Sequence, residues 1–228
     1  MRAQEFVLEL RRNPQQNPRV SGQDVLKPLA QDHSVFVSYT KIPKLGINPD
    51  PRSINTPAGV YAYPLYLIWP DIQTDLTNVP FPANPRYMYV FRSPTPVMDV
   101  REFGRSDLRA AMRRLHGVAR WLKPTPNSWD EPGEPGYLSS FAMLLDYTRK
   151  MALKQQDVTD LDLVGGSHGQ PARKSPRSYV FTWNQLLKKA TGHDAFVDPG
   201  HGIIHGGEPT QAMFLNPSQL QIIERIDL

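Results

Sequence analysis

The sequence predicts an α+β fold with antiparallel sheets. Three strand-like runs come first, helical patterns occupy the middle, and short strands close the chain. Strands and helices therefore segregate rather than alternate, which argues against a parallel doubly wound sheet. With 228 residues, 39% hydrophobic, the chain can bury a real core, and its 23 prolines, about twice average usage, predict few long uninterrupted helices. The absence of cysteine excludes disulfide scaffolds, thiolate metal sites and cysteine nucleophiles. A net charge of +4 and a pI near 9.3 are compatible with nucleic acid, an anionic cofactor or an acidic protein, and select none of them. No apolar run approaches the ~20 residues a bilayer demands, and the apolar stretch within MRAQEFVLELRR is too short for a secretory signal. The expectation is a soluble protein of a cytoplasm.

Residues 1–30 read as an N-terminal arm or linker, with an amphipathic piece Glu5 to Arg12 followed by turn material. The main domain spans 31–228. Val35 to Thr40 is rich in β-branched and aromatic residues and predicts the first strand. After a Pro-rich loop, Gly59 to Trp69 reads as a strand that continues past Pro64, at an edge or a bend. Arg86 to Arg92 is the clearest strand pattern in the chain. Asp107 reads as the N-cap of a helix Leu108 to Leu122, whose apolar residues recur every three or four positions while Arg109, Arg113, Arg120 and Lys123 fall on the other face. A solvated surface is the ordinary meaning of such a face, and phosphate contact is the sharper one. Residues 124–136 break the pattern. A second helix, Tyr137 to about Gln155, buries Phe141, Leu144, Leu145, Thr148 and Ala152. A basic loop over 157–178 leads to a short strand Tyr179 to Phe181, a short helix Trp183 to Ala190, and Gly192 as helix stop. Leu220 to Ile226 is the last strand.

Gly192 to Leu215 is the most informative stretch. An apolar run, Ala195 to Val197, meets Asp198-Pro199-Gly200, which reads as turn chemistry. His201, Gly202, His205, Gly206 and Gly207 follow, then Glu208, Pro209, Thr210, Gln211 and the apolar run Ala212 to Leu215. Polar groups held at the lip of a strand suit a binding site, and a tight hairpin satisfied within itself is the plainer alternative. His201 and His205, with Asp198 or His193, also allow a metal reading. Their Gly-rich loop favours contact with a target instead.

Three segments resemble, in order, the spaced motifs of the ADP-ribosyltransferase fold. Val37-Ser38-Tyr39-Thr40 resembles the first, with Ser38 where His or Arg stands in the family. Gly59-Val60-Tyr61-Ala62 resembles its Gly-Ile-Tyr segment, and Ile204 to Leu215 the third. Gln211 aligns with the strand-initial Glu, and Glu208 lies three residues earlier. Arg86 to Val100 is similar to the family's middle strand pair. The run from SYT to TPAGVYAYP and the ending in EPTQAMFL are similar to bacteriophage-carried members.

This resemblance implies two small, mainly antiparallel sheets flanked by helices, and NAD as substrate with no metal. It implies a NAD site of Ser38, Tyr39, Thr40, Gly59, Tyr61 and Tyr63, with Tyr61 stacked on nicotinamide. Glu208 or Gln211 would orient the ribose, and His201 and His205 would meet the target. A host protein or nucleic acid would accept ADP-ribose, in the host cytoplasm or from a virion whose components the arm contacts, with no membrane involved. The alternatives are a degenerate member that binds without transfer, and an unrelated basic nucleic-acid-binding domain.

Overall fold

The computed structural model describes residues 22–46, 57–79, 84–116, 137–157, 176–198 and 211–228. The expectations for Glu5 to Arg12, the 199–210 loop with His201, His205 and Glu208, and most of the 157–178 loop lie outside these residues. The chain divides into two compact units. Described residues of the first are 22–45, 62–79, 84–94 and 220–228, and those of the second are 46, 57–61, 95–116, 137–157, 176–198 and 211–219. The α+β class holds.

In the first unit, strands β1 (Val35–Thr40), β2 (Val60–Pro64, whose first two residues belong to the second unit), β3 (Tyr87–Arg92) and β7 (Gln221–Asp227) hydrogen-bond in the order β2-β1-β3-β7. The three pairings are antiparallel, with Val37 opposite Tyr63, Ser38 opposite Tyr89 and Tyr87 opposite Asp227. Alternation along β1 sends Val35, Val37 and Tyr39 to one face. There they pack with Tyr63, Leu65, Ile72, Met88 and Val90. Helix α1 (Gly22–Leu26) and the 3₁₀ turn Lys27–Leu29 close over this cluster. Leu26 and Leu29 are buried in it, so the stretch read as the end of an arm is tied to the core by apolar burial.

Two local differences from the sequence reading occur here and in the second unit, and both have the same cause. The second strand stops at Pro64, and Leu65–Ile72 is helix α2. Pro64 occupies the N-cap, where the missing N–H costs nothing, and only Leu65 and Ile72 of the helix are buried. A strand through Trp69 would have buried alternate residues instead. Likewise Tyr179 to Phe181 is not a strand. It lies within helix α5 (Pro176–Thr191), which opens on a proline. Tyr179, Val180, Trp183, Leu186, Leu187 and Ala190 form its buried stripe, so packing at helical spacing overrides their β preference.

The second unit builds its core from helices α3 (Arg105–His116), α4 (Tyr137–Gln155) and α5 against strands β4 (Met98–Asp99), β5 (Ala195–Asp198) and β6 (Gln211–Phe214). Asp107 is not the N-cap of α3. The helix starts at Arg105, and the Asp107 carboxylate reaches back to accept the Gly104 N–H at 2.9 Å, the reciprocal half of a capping box. Phe141 packs edge-on to Phe103 at 5.6 Å and tilted to Phe196 at 5.4 Å. The buried Thr148 hydroxyl accepts the Trp183 indole N–H at 3.0 Å, joining α4 to α5. Gly192, at φ +81°, ends α5 as read, and its N–H donates to Lys188 O at 2.8 Å.

β5 runs parallel to β4 and antiparallel to β6, and β6 neighbours β2. Hydrogen-bonded neighbours run β4-β5-β6-β2 in the second unit and β2-β1-β3-β7 in the first, with β2 divided between the two.

Candidate functional site

In the second unit two buried polar side chains meet at the end of the β5–β6 pair. Ala195 to Asp198 and Gln211 to Phe214 pair antiparallel, with Ala195 opposite Phe214 and Asp198 opposite Gln211. Residues directly opposite on an antiparallel pair share a face, with Cβ atoms ~5 Å apart. The pair therefore sets a carboxylate beside a carboxamide at the base of the histidine-glycine loop. Both are buried, Asp198 at 1% exposure and Gln211 at 6%. Burying a carboxylate is costly unless other groups compensate it, so an Asp this deeply buried at a strand terminus is a candidate for chemistry as well as for turn formation. The sequence reading assigned Asp198 to a turn. Its burial was invisible there because Asp-Pro-Gly is turn chemistry wherever it occurs. The strand carries through Asp198.

The neighbouring strand brings the second motif. A side chain on Gly59 would place its Cβ 2.9 Å from Phe214 O and 3.0 Å from Met213 Cγ, so the β2 entrance lies directly against the end of β6. Gly59 is required by this close approach and not by an unusual φ. Tyr61, half-buried against the unit's hydrophobic cluster, donates its hydroxyl to Pro57 O at 2.6 Å. That bond fixes the ring two residues beyond Gly59. Asn184 of α5 anchors the same segment, its Nδ2 donating to Ala58 O. Asn184 Oδ1 is buried with no hydrogen-bond partner among the described residues. No sequence signal distinguished Asn184 from any other polar residue on a helix.

On the other side of the hairpin base, Asp194 accepts from Lys188 Nζ at 2.9 Å and from Thr95 Oγ1 at 3.3 Å, while its backbone carbonyl takes the Leu215 N–H at 2.8 Å. The last of these bonds ties the start of β5 to the end of β6, and the other two tie it to α5 and to the segment before β4. The hairpin therefore enters its loop from a rigid base, which suits a site whose geometry must be held.

The remaining candidates lie in the first unit. Ser38 is buried at 6% exposure, on the face of β1 opposite the hydrophobic cluster, and Thr40 accepts the Ile42 N–H at 3.1 Å. Tyr39 and Tyr63 point the other way. Their rings meet edge-on at 6.3 Å inside the cluster, so these two NAD candidates are core residues rather than companions of Ser38 and Thr40. Burial, with the neighbouring Tyr63 and the Asp75 charge adding to it, pushes the Tyr39 hydroxyl far above its ordinary pKa and keeps it neutral. The Tyr39 hydroxyl has no hydrogen-bond partner among the described residues. His33 stacks on Tyr66 at 4.1 Å.

Close by, the Asp32 carboxylate accepts from the Ser34 N–H at 2.9 Å, from the Ser34 hydroxyl at 2.6 Å and from Arg92. Burial on its own raises the Asp32 pKa, and the bonds from Ser34 and Arg92 outweigh it and leave the carboxyl below its usual range. This network braces the turn that feeds β1.

Among the described residues no group of three His, Asp or Glu side chains is placed to hold a metal ion. No family model, curated relative or solved structure matches the chain.

Proposed function

We propose that the chain is an NAD-dependent mono-ADP-ribosyltransferase of bacteriophage type that modifies a host macromolecule, with Asp198 as its acidic residue. The observation that carries this reading lies in the second unit. The segment Gly59 to Tyr61 and the segment beginning at Gln211 stand on neighbouring strands, although 150 residues separate Tyr61 from Gln211, and a buried carboxylate faces Gln211 across β5–β6. Transfer breaks the bond between ribose and nicotinamide, builds positive charge on the ribose, and forms a new bond from ribose to the acceptor. Nicotinamide leaves with the bonding pair, and the acceptor loses its proton. A carboxylate at the site stabilises the developing charge, and a carboxamide beside it hydrogen-bonds a ribose hydroxyl. Asp198 and Gln211 divide those duties, which a single strand-initial Glu performs in the family resembled. Tyr61 supplies the flat surface for nicotinamide.

One observation favours a second reading, an NAD-binding or virion-associated module without transfer. The residue that opens β6 is a neutral Gln, and Ser38 is a short neutral side chain on β1. Purified protein, labelled NAD and a bacterial lysate separate the two, run beside Asp198→Asn and a Glu208→Ala, Gln211→Ala double variant. The transferase labels a band or nucleic-acid fraction that the variants leave unlabelled. A folded wild-type protein that is stabilised by NAD, yet neither labels a target nor releases nicotinamide, is the binding module.

A further inference from the structure

Helix α3 reads RSDLRAAMRRLH and carries four arginines, one aspartate and no lysine. Its twelve residues thus hold a net +3, against +4 for the whole chain. Leu108, Ala111, Met112 and Leu115 are buried, and Arg105, Arg109 and Arg113 are exposed. Spaced four residues apart, these three arginines form one stripe with steps of about 6 Å and a span of about 12 Å. Arg105 and the other charges of the helix are engaged. Arg114 donates to Ala190 O at 2.9 Å, and the Asp107 carboxylate accepts the Gly104 N–H at 2.9 Å. Among the described residues neither Arg109 nor Arg113 belongs to an ion pair.

We infer that this stripe is a docking surface for the phosphate backbone of a nucleic acid. Three features select that partner. Arginine alone is used, and its planar fork grips phosphate oxygens with two hydrogen bonds where lysine offers a point charge. The charges repeat along a line, as the phosphates of a polynucleotide do. No large hydrophobic side chain is exposed on α3, since those among the described residues are Ile42, Leu67, Phe181, Ile222 and Leu228. A membrane-binding helix needs an apolar face to insert, and a protein interface needs an apolar centre. The surface reads phosphate, not sequence, and stands independently of the transferase reading.

The test is binding of a labelled single strand and a labelled duplex, each of about 30 nucleotides in length, measured by anisotropy from about 50 to 200 mM salt. Arg109→Gln with Arg113→Gln removes two phosphate contacts. It should weaken binding by about tenfold and flatten the slope of log affinity against log salt by about 1.4 for the single strand or 1.8 for the duplex. Lys150→Gln removes a charge on α4 that is already paired with Asp146, and should leave affinity within about twofold. Unchanged melting temperatures for both variants show that neither result reflects misfolding. The inference fails if the wild type binds neither nucleic acid, if the double variant binds like the wild type, or if Lys150→Gln weakens binding as much. Tighter binding to polyglutamate or to phosphatidylserine vesicles than to nucleic acid also overturns it.

Discussion

Gly59→Ala probes the contact on which the candidate site depends. The added methyl would sit 2.9 Å from Phe214 O and 3.0 Å from Met213 Cγ, where ordinary contact begins at 3.4 Å. The thioether arm of Met213 can rotate away, but the carbonyl belongs to β6 and moves only with its strand. A displacement of about half an ångström is needed, and overpacking of this kind costs about 1–3 kcal/mol. Because Gly59 is not in the left-handed region, alanine also restricts the unfolded chain, which returns roughly 0.4–1 kcal/mol. The net loss is about 0–2.6 kcal/mol, centred on ~1.3 kcal/mol, or a fall in melting temperature of about 3–5 °C at that centre for a chain of this size. Thermal unfolding followed by circular dichroism reads it directly. Gly46→Ala is the internal control, since a Cβ there meets nothing within 4 Å and should not destabilise the protein. If Gly59→Ala melts at or above the wild-type temperature, β6 does not lie against the β2 entrance. The adjacency of the second and third motifs would then fall with it.

Other outcomes follow from the same geometry. Asn184→Leu deletes the donor to the buried Ala58 carbonyl and should cost about 1–3 kcal/mol in denaturant unfolding, a loss that Gln185→Leu on the exposed face should not reproduce. Asp198→Asn should lower nicotinamide release from NAD by about 10²–10³-fold while the protein stays folded; full activity would remove Asp198 from the proposed chemistry. The Asp32 carboxyl titrates below its usual value, so its contribution to stability is present above pH 3.8 and disappears as pH falls through its lowered folded-state value. Asp32→Asn should therefore cost no more than about 1 kcal/mol at neutral pH, given a partly exposed pair, and the two proteins should converge in acid. A gap of constant size down to the acid-unfolding limit would show that Asp32 acts by packing rather than by charge.

Much of the fold is written in local pattern. Val35 to Thr40 and Arg86 to Arg92 read as strands from β-branched and aromatic content, and both became central strands. The stripe Phe141, Leu144, Leu145, Thr148 and Ala152 is buried as its spacing predicts, and Gly192 ends its helix. These succeed because periodicity and helix termination act within a few residues. The same evidence misled at Leu65 to Trp69 and at Tyr179 to Phe181. Aromatic and β-branched residues serve a helix equally well once they recur at the spacing of a buried face, and only the neighbours in space decide which period is used.

The candidate site divides along the same line. By itself the sequence determined which residue types are present: a glycine before Tyr61, a carboxylate before Pro199 and a Gln opening the last apolar run but one. Only the tertiary structure decided that Asp198 is buried and faces Gln211, that Gly59 is glycine because β6 passes against it, and that Asn184 holds the strand entrance. It also placed Tyr39 and Tyr63 in a hydrophobic core. Register and strand order are set by the sum of many weak side-chain contacts between segments far apart in the chain, and no single stretch carries that information.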